Sequence, residues 1–214
     1  MTKIKSDDSK KDIFKKVQGF YEEMVLDLGG GFWYYYNLGE DVIIHFGDKE
    51  WARVAWKKAE KDADESEMFT RIGHDVGRHL GDKEWTRRLF IKAEEMALTS
   101  RDYGWLAEEI MIHLKEREWA KKLYEKSYEI GKTPRALWVT ARSISVDYED
   151  KEWAAKVYAK ALECASRPAD MFDIAESVKD HLGDKKWASD IYKKAEEIGG
   201  IDFYRHMILS LIHI

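Results

Sequence analysis

Gly47-Asp48-Lys49-Glu50-Trp51 returns as Gly81-Asp82-Lys83-Glu84-Trp85 and as Gly183-Asp184-Lys185-Lys186-Trp187. Degenerate copies stand at Lys115-Glu116-Arg117-Glu118-Trp119 and Glu149-Asp150-Lys151-Glu152-Trp153. The five tryptophans are spaced by 34 residues throughout. A fixed period of that length marks one supersecondary unit stacked on copies of itself.

Counting back from each tryptophan gives the first half of the unit. Positions sixteen, thirteen, nine and five before it are apolar in nearly every copy: Tyr35, Leu38, Val42 and Phe46 in the first, Met171, Ile174, Val178 and Leu182 in the last. That spacing is one face of a helix. The residue twelve before is always small (Gly39, Gly73, Ala107, Ala141, Ala175), so this helix approaches its partner closely. The glycine of the motif suits a left-handed helix C-terminus, and the aspartate suits the N-cap of the next helix. Lys115-Glu116-Arg117 lacks both devices, and its turn is expected to be the least sharply defined. After the tryptophan come a small residue, an aromatic five positions on (Trp56, Phe90, Tyr124, Tyr158, Tyr192) and another small residue at eight. Each unit therefore reads as a helical hairpin. The tryptophans read as core, each contributing up to ~4–6 kcal/mol of burial before entropy is subtracted.

The predicted fold class is all-α, an α-solenoid of antiparallel helical hairpins. Residues 33–202 hold five repeats, preceded by a disordered tail (1–11) and a capping helix (12–28), and followed by a second capping helix (203–214). Gly29-Gly30-Gly31 reads as a linker, because no Lys-Ser or Lys-Thr follows to make a phosphate loop. The last segment is apolar on most sides, through Met207, Ile208, Leu209, Leu211, Ile212 and Ile214. It covers either the end of the stack or a second copy of the chain, which would make a homo-oligomer.

Thirty-six basic against 41 acidic side chains leave a formal charge of −5, which disfavours nucleic acid and anionic membranes as partners. No apolar run spans a bilayer, and Met1 to Lys11 is too polar for a secretory leader. The single cysteine, Cys164, excludes an intramolecular disulfide and reads as small core filler. A cytoplasmic protein is expected.

Gly-Asp-Lys-Glu-x-Ala followed by an aromatic and a small residue, at a period of 34, resembles the tetratricopeptide repeat. The first helices depart from that pattern. Eleven before the tryptophan, where the family usually has glycine, stand Glu40, His74, Glu108, Arg142 and Glu176; only Pro134 and Pro168 mark unit ends. The longer glycine-containing loop of Sel1-like repeats is missing. The resemblance implies a right-handed solenoid whose first helices form a concave face, and a protein-protein interaction scaffold.

Candidate groove residues follow from the period at seventeen, fourteen, ten, seven and six before each tryptophan. In the first two units they include Tyr34, Asn37, Asp41, His45, Arg71, Asp75, Arg78 and His79; in the remaining units Asp102, Trp105, Glu109, His113, Asp147, Asp173, Asp180 and His181. With Asp170, these positions carry eight acids against two bases, a balance of −6. An acidic groove favours a basic peptide, with Tyr34 and Trp105 as anchors; the plain alternative is a solvated polar face. The histidines six before the tryptophan read first as helix C-terminal residues that satisfy free carbonyls. No metal and no other cofactor is expected, because that row spaces the imidazoles at the 8–10 Å pitch of stacked helices instead of converging them. Their mutual repulsion at ~10 Å in water is only ~0.4 kcal/mol, so any pH response of the row would be gradual. Ser143 and Ser145 near Asp147 find no histidine in their own unit, and no catalytic residue is expected.

Overall fold

The computed structural model describes residues 16–17, 19–20 and 31–212, with side chains as far as 199. The tail expected over 1–11 lies outside these residues, as does most of the helix expected over 12–28. Of that helix Lys16, Val17, Gly19 and Phe20 are helical, and Val17 packs against the core.

The described residues form ten helices and no strand. Five hairpins follow the period: α1 (Phe32–Phe46) with α2 (Lys49–Asp62), α3 (Ser66–Asp75, continuing as the π-helical turn Val76–Leu80) with α4 (Lys83–Met96), α5 (Ser100–His113) with α6 (Arg117–Ile130), α7 (Pro134–Asp147) with α8 (Lys151–Cys164), and α9 (Pro168–Ser177, continuing as the π-helical turn Val178–Leu182) with α10 (Lys185–Ile212). The closest packing is within each hairpin. Successive first helices also touch one another, and each second helix packs on the first helix of the next unit. The chain is a helical-repeat solenoid. No helix among the described residues is long and apolar enough to cross a membrane.

The turn chemistry is the expected one in four units. Asp48, Asp82, Asp150 and Asp184 each accept a hydrogen bond from the backbone N–H of the tryptophan three residues on, at 2.8–3.0 Å. Gly47, Gly81 and Gly183 are left-handed, with φ of 65°, 67° and 76°. The third turn, expected to be the least sharply defined, lacks the cap bond, since Glu116 accepts none from the next helix, but it keeps the left-handed C-terminus. Lys115 adopts the same left-handed conformation (φ 62°), and its N–H bonds to Ile110 O at 2.9 Å. Glu149 is left-handed as well, at φ 55°. Packing of the flanking helices imposes the turn where the residue type does not favour it.

The innermost layer is the aromatic five after each tryptophan: Trp56, Phe90, Tyr124 and Tyr158 are fully buried. The small residue on the first helix makes room for it. A Cβ on Gly39 would stand 2.2 Å from Trp56 Nε1, and one on Gly73 would stand 2.3 Å from Phe90. The repeated tryptophans are core, as expected, in the first two units and pack against the core from one shell further out in the other three. Trp51 and Trp85 are buried, whereas Trp119, Trp153 and Trp187 are half-buried. Trp85 Nε1 donates to Glu60 at 2.8 Å and Trp119 Nε1 to Glu94 at 2.6 Å, both on the preceding second helix. Lys92 and Lys126 reach the same two carboxylates at 2.7 and 2.8 Å. Tryptophan, glutamate and lysine thus tie neighbouring second helices together.

The sequence also predicts a break before a separate helix over 203–214. The backbone instead continues helical through Gly199 and Gly200 to Ile212, and His213 and Ile214 lie outside the described residues.

Candidate functional site

The first helices carry the predicted groove positions, and packing sorts those positions by depth. At the rim, Asn37, His45, Arg78, Asp173 and Asp180 are exposed, while Tyr34, Asp41 and His181 are half-buried. His45 and Asp41 line a pocket of about 260 Å³ with Val17, Leu38, Val42, Phe46 and Trp51. From the second unit on, the side chain ten residues before the tryptophan turns into the seam between units. Asp75 and Glu109 are both buried, and they are not groove surface.

Other carboxylates of the expected acidic lining are occupied as well. Asp102 closes a capping box with Thr99 at the start of α5. Asp147 accepts from the Tyr124 hydroxyl at 2.7 Å, and Asp170 holds Arg167 at 2.6 Å. The balance of −6 therefore overstates the charge this face offers a ligand. Asp180, 3.8 Å from Lys179, and Asp173 stay exposed at the C-terminal end. Burial and the neighbouring Asp170 push the Asp173 carboxyl up.

The histidine row is also part of the seam. His79 stacks on Trp56 with centroids 6.2 Å apart, and His113 packs against Phe90 at 6.4 Å. Each ring sits on the core aromatic of the unit before it. For the fourth unit that aromatic is Tyr124, and Asp147, standing where the others have histidine, accepts a hydrogen bond from its hydroxyl.

Two constellations stand out. On the surface, the Arg71 guanidinium lies between two indoles, 5.4 Å from Trp33 and 5.3 Å from Trp105, so one stack crosses three units. Glu67 holds Arg71 at 2.7 Å and fixes the arrangement. Trp33 remains 48% exposed. Beside the stack lies a pocket of about 330 Å³ lined by Arg71, Arg101, Trp105, Glu108, Arg135 and Val139 among others. Trp105 and Arg71 are among the predicted residues; Trp33 lies one position off the register counted for the groove.

Beneath the stack, His74 Nδ1 stands 2.7 Å from Glu109 Oε2 and His113 Nε2 stands 3.3 Å from the same oxygen. The two ring nitrogens are 3.4 Å apart. Trp105 Nε1 donates to the other carboxylate oxygen at 3.0 Å, joining this cluster to the surface stack. Burial alone would push the Glu109 carboxyl up, but hydrogen bonds from His113, His74 and Trp105 and the charge of His74 bring it down to about 2. The Glu109 hydrogen bond, working against burial, raises the pKa of His74. The expectation of diverging imidazoles concerned the row six before the tryptophan; here His74, from the position where the resembled family has glycine, crosses to meet one member of that row, His113, in the next unit. Its departure from the pattern was the one signal in the sequence.

Neither the family models nor the curated proteins supply a match to this sequence.

Proposed function

We propose that the protein is a tetratricopeptide-like interaction scaffold that binds a partner protein or peptide along the face of its first helices. The observation that carries this reading is the stack of Trp33, Arg71 and Trp105. A half-exposed indole beside a guanidinium that also lies over a second indole is a rigid amphipathic anchor of the type enriched at binding hot spots. Holding it costs a partner little ordering entropy, because Glu67 and the rings already fix the arginine. The pocket beside Trp105 receives a side chain of the partner.

Charge enters second. Most carboxylates of the face are engaged, so a basic residue of the partner is drawn to the C-terminal end, where Asp173 and Asp180 are exposed, and not to the length of the groove.

Affinity capture from native lysate tests this with three baits: the wild-type chain, a Trp33→Ala/Trp105→Ala variant, and a control with Glu84→Ala and Arg88→Ala on a second helix. The expected result is a set of proteins held by wild type and control and lost by the indole variant. Proteins held equally by the indole variant and lost by the control would place binding on the opposite face and reject the proposal.

A further inference from the structure

We infer that His74, Glu109 and His113 form a binding site for a single divalent transition-metal ion of the zinc type, seated in the seam between the second and third hairpins.

The donor set is the first ground. Two imidazole nitrogens and one carboxylate oxygen are the ligands of catalytic-type zinc sites, which leave a coordination position open. Their spacing is the second. Donors bonded at about 2.0–2.1 Å to a tetrahedral ion stand about 3.3–3.4 Å apart. Two of the three edges here are 3.3 and 3.4 Å; the third is 2.7 Å because His74 and Glu109 share a hydrogen bond that an ion would replace. The cluster needs only a short opening along that one edge.

The surroundings hold the donors as a metal site requires. Trp105 Nε1 fixes Glu109 through Oε1 and leaves Oε2 to the imidazoles, the outer contact that orients a ligating carboxylate. The His113 ring lies against the bare backbone of Gly77, where a Cβ would be 2.7 Å from its Nδ1. Glu109 and His113 are 7% and 10% exposed, so their positions are set by packing, while His74 at 32% leaves an entry path.

The same seam positions in the other units do not carry these ligands. They hold Glu40, Asp75 and His79 between the first and second hairpins, Glu108, Ser143 and Asp147 between the third and fourth, and Arg142, Ser177 and His181 between the last two. Among the described residues, the fold offers a polar niche at each seam and fills only one with two histidines and a carboxylate.

The test uses the full chain and Zn²⁺ alone, with chelator competition for affinity and Co²⁺ absorption for geometry. The expected result is one ion per chain, a Co²⁺ band of the intensity that four-coordinate sites give, and a rise in melting temperature on adding Zn²⁺. His74→Ala, at the half-exposed ligand, is expected to keep its far-UV circular dichroism and to bind at least about tenfold more weakly; Trp105→Phe weakens binding by about tenfold through the carboxylate it orients. His45→Ala/His181→Ala and His206→Ala/His213→Ala leave affinity unchanged. Absence of Zn²⁺ binding by the wild-type chain overturns the site. So does affinity that survives His74→Ala, or that is lost only when His206 and His213 are replaced.

Discussion

At the scale of single residues, the strongest constraints are on backbone conformation and on one methyl group of space. Lys115 and Glu149 hold left-handed backbones that cost a side-chain-bearing residue about 1–2 kcal/mol, at positions where the other three units use glycine. Lys115→Gly and Glu149→Gly should each stabilise the chain by about 0.5–1 kcal/mol, the glycine's own entropy offsetting part of the gain. Thermal denaturation checks this, and a lower melting temperature in either variant would show that the left-handed strain has been misjudged. The reverse experiment is Gly39→Ala. Its Cβ would collide with Trp56, and the expected loss is about 1–3 kcal/mol. Units three to five pair alanine with tyrosine at these two positions. Trp56→Tyr combined with Gly39→Ala should therefore lose less than the sum of the single variants, by at least about 0.5 kcal/mol in a double-mutant cycle. Strict additivity would mean that the two positions are not one packing unit.

At the scale of elements, the hairpins were legible because period, stripe and cap chemistry all point to one structure, and their boundaries fall where Gly-Asp places them. What joins one hairpin to the next was not legible. Glu60 and Glu94 look like ordinary solvated acids of a Lys/Glu-rich helix; only in the fold does the next tryptophan's indole arrive from 25 residues away. The same holds for His74, whose partner Glu109 is 35 residues on. Sequence periodicity reports which face a residue shares with its own helix, and it is silent on contacts made across a seam. Glu94 allows the staple to be tested. Burial pushes its carboxyl up, and the hydrogen bonds from Lys126 and Trp119 more than offset this, so its folded pKa lies below the ordinary carboxylate value. A group depressed in the folded state adds stability above its unfolded pKa, and that stability is lost as pH falls through the folded one. Glu94→Gln should cost about 1 kcal/mol at pH 7, discounted for its partial exposure. The cost should shrink in acid, as the pH falls through the depressed folded pKa and wild type is protonated as well. Urea midpoints at pH 7 and along an acid series measure it, and a cost independent of pH would remove the charge from the account.

At the scale of the whole molecule, the seams are not chemically alike, and that gives the stack a direction. Between the first three hairpins they are closed by ion pairs: Arg53 with Asp82 at 2.7 Å, Lys92 with Glu60, Arg87 with Glu116 at 2.9 Å, Lys126 with Glu94 and His74 with Glu109. Beyond the third hairpin the ion pair of Arg142 with Glu108 is longer, at 3.9 Å, and hydrogen bonds to hydroxyls and backbone carbonyls take over much of the work. The Tyr158 hydroxyl meets Ser177 at 2.6 Å, the Tyr148 hydroxyl donates to Arg117 O at 2.5 Å, and Lys160 and Lys151 donate to the backbone carbonyls of Tyr128 and Leu182. In a solenoid each unit is stabilised by its own fold and by its nearest neighbours, so a weakened seam opens locally before the rest of the chain unfolds. Half-exposed ion pairs are screened by salt and lose their acids at low pH, while hydroxyl and carbonyl hydrogen bonds are little affected by either. Acid or added salt should therefore loosen the N-terminal hairpins first. Hydrogen exchange read by mass spectrometry at pH 7 and again in high salt should show protection falling over residues 49–130 and holding over 134–199. Uniform loss along the chain would mean that the buried aromatic layer alone sets seam strength. Preferential loss at the C-terminal hairpins would mean that the bonds to hydroxyls and backbone carbonyls are the weaker ones.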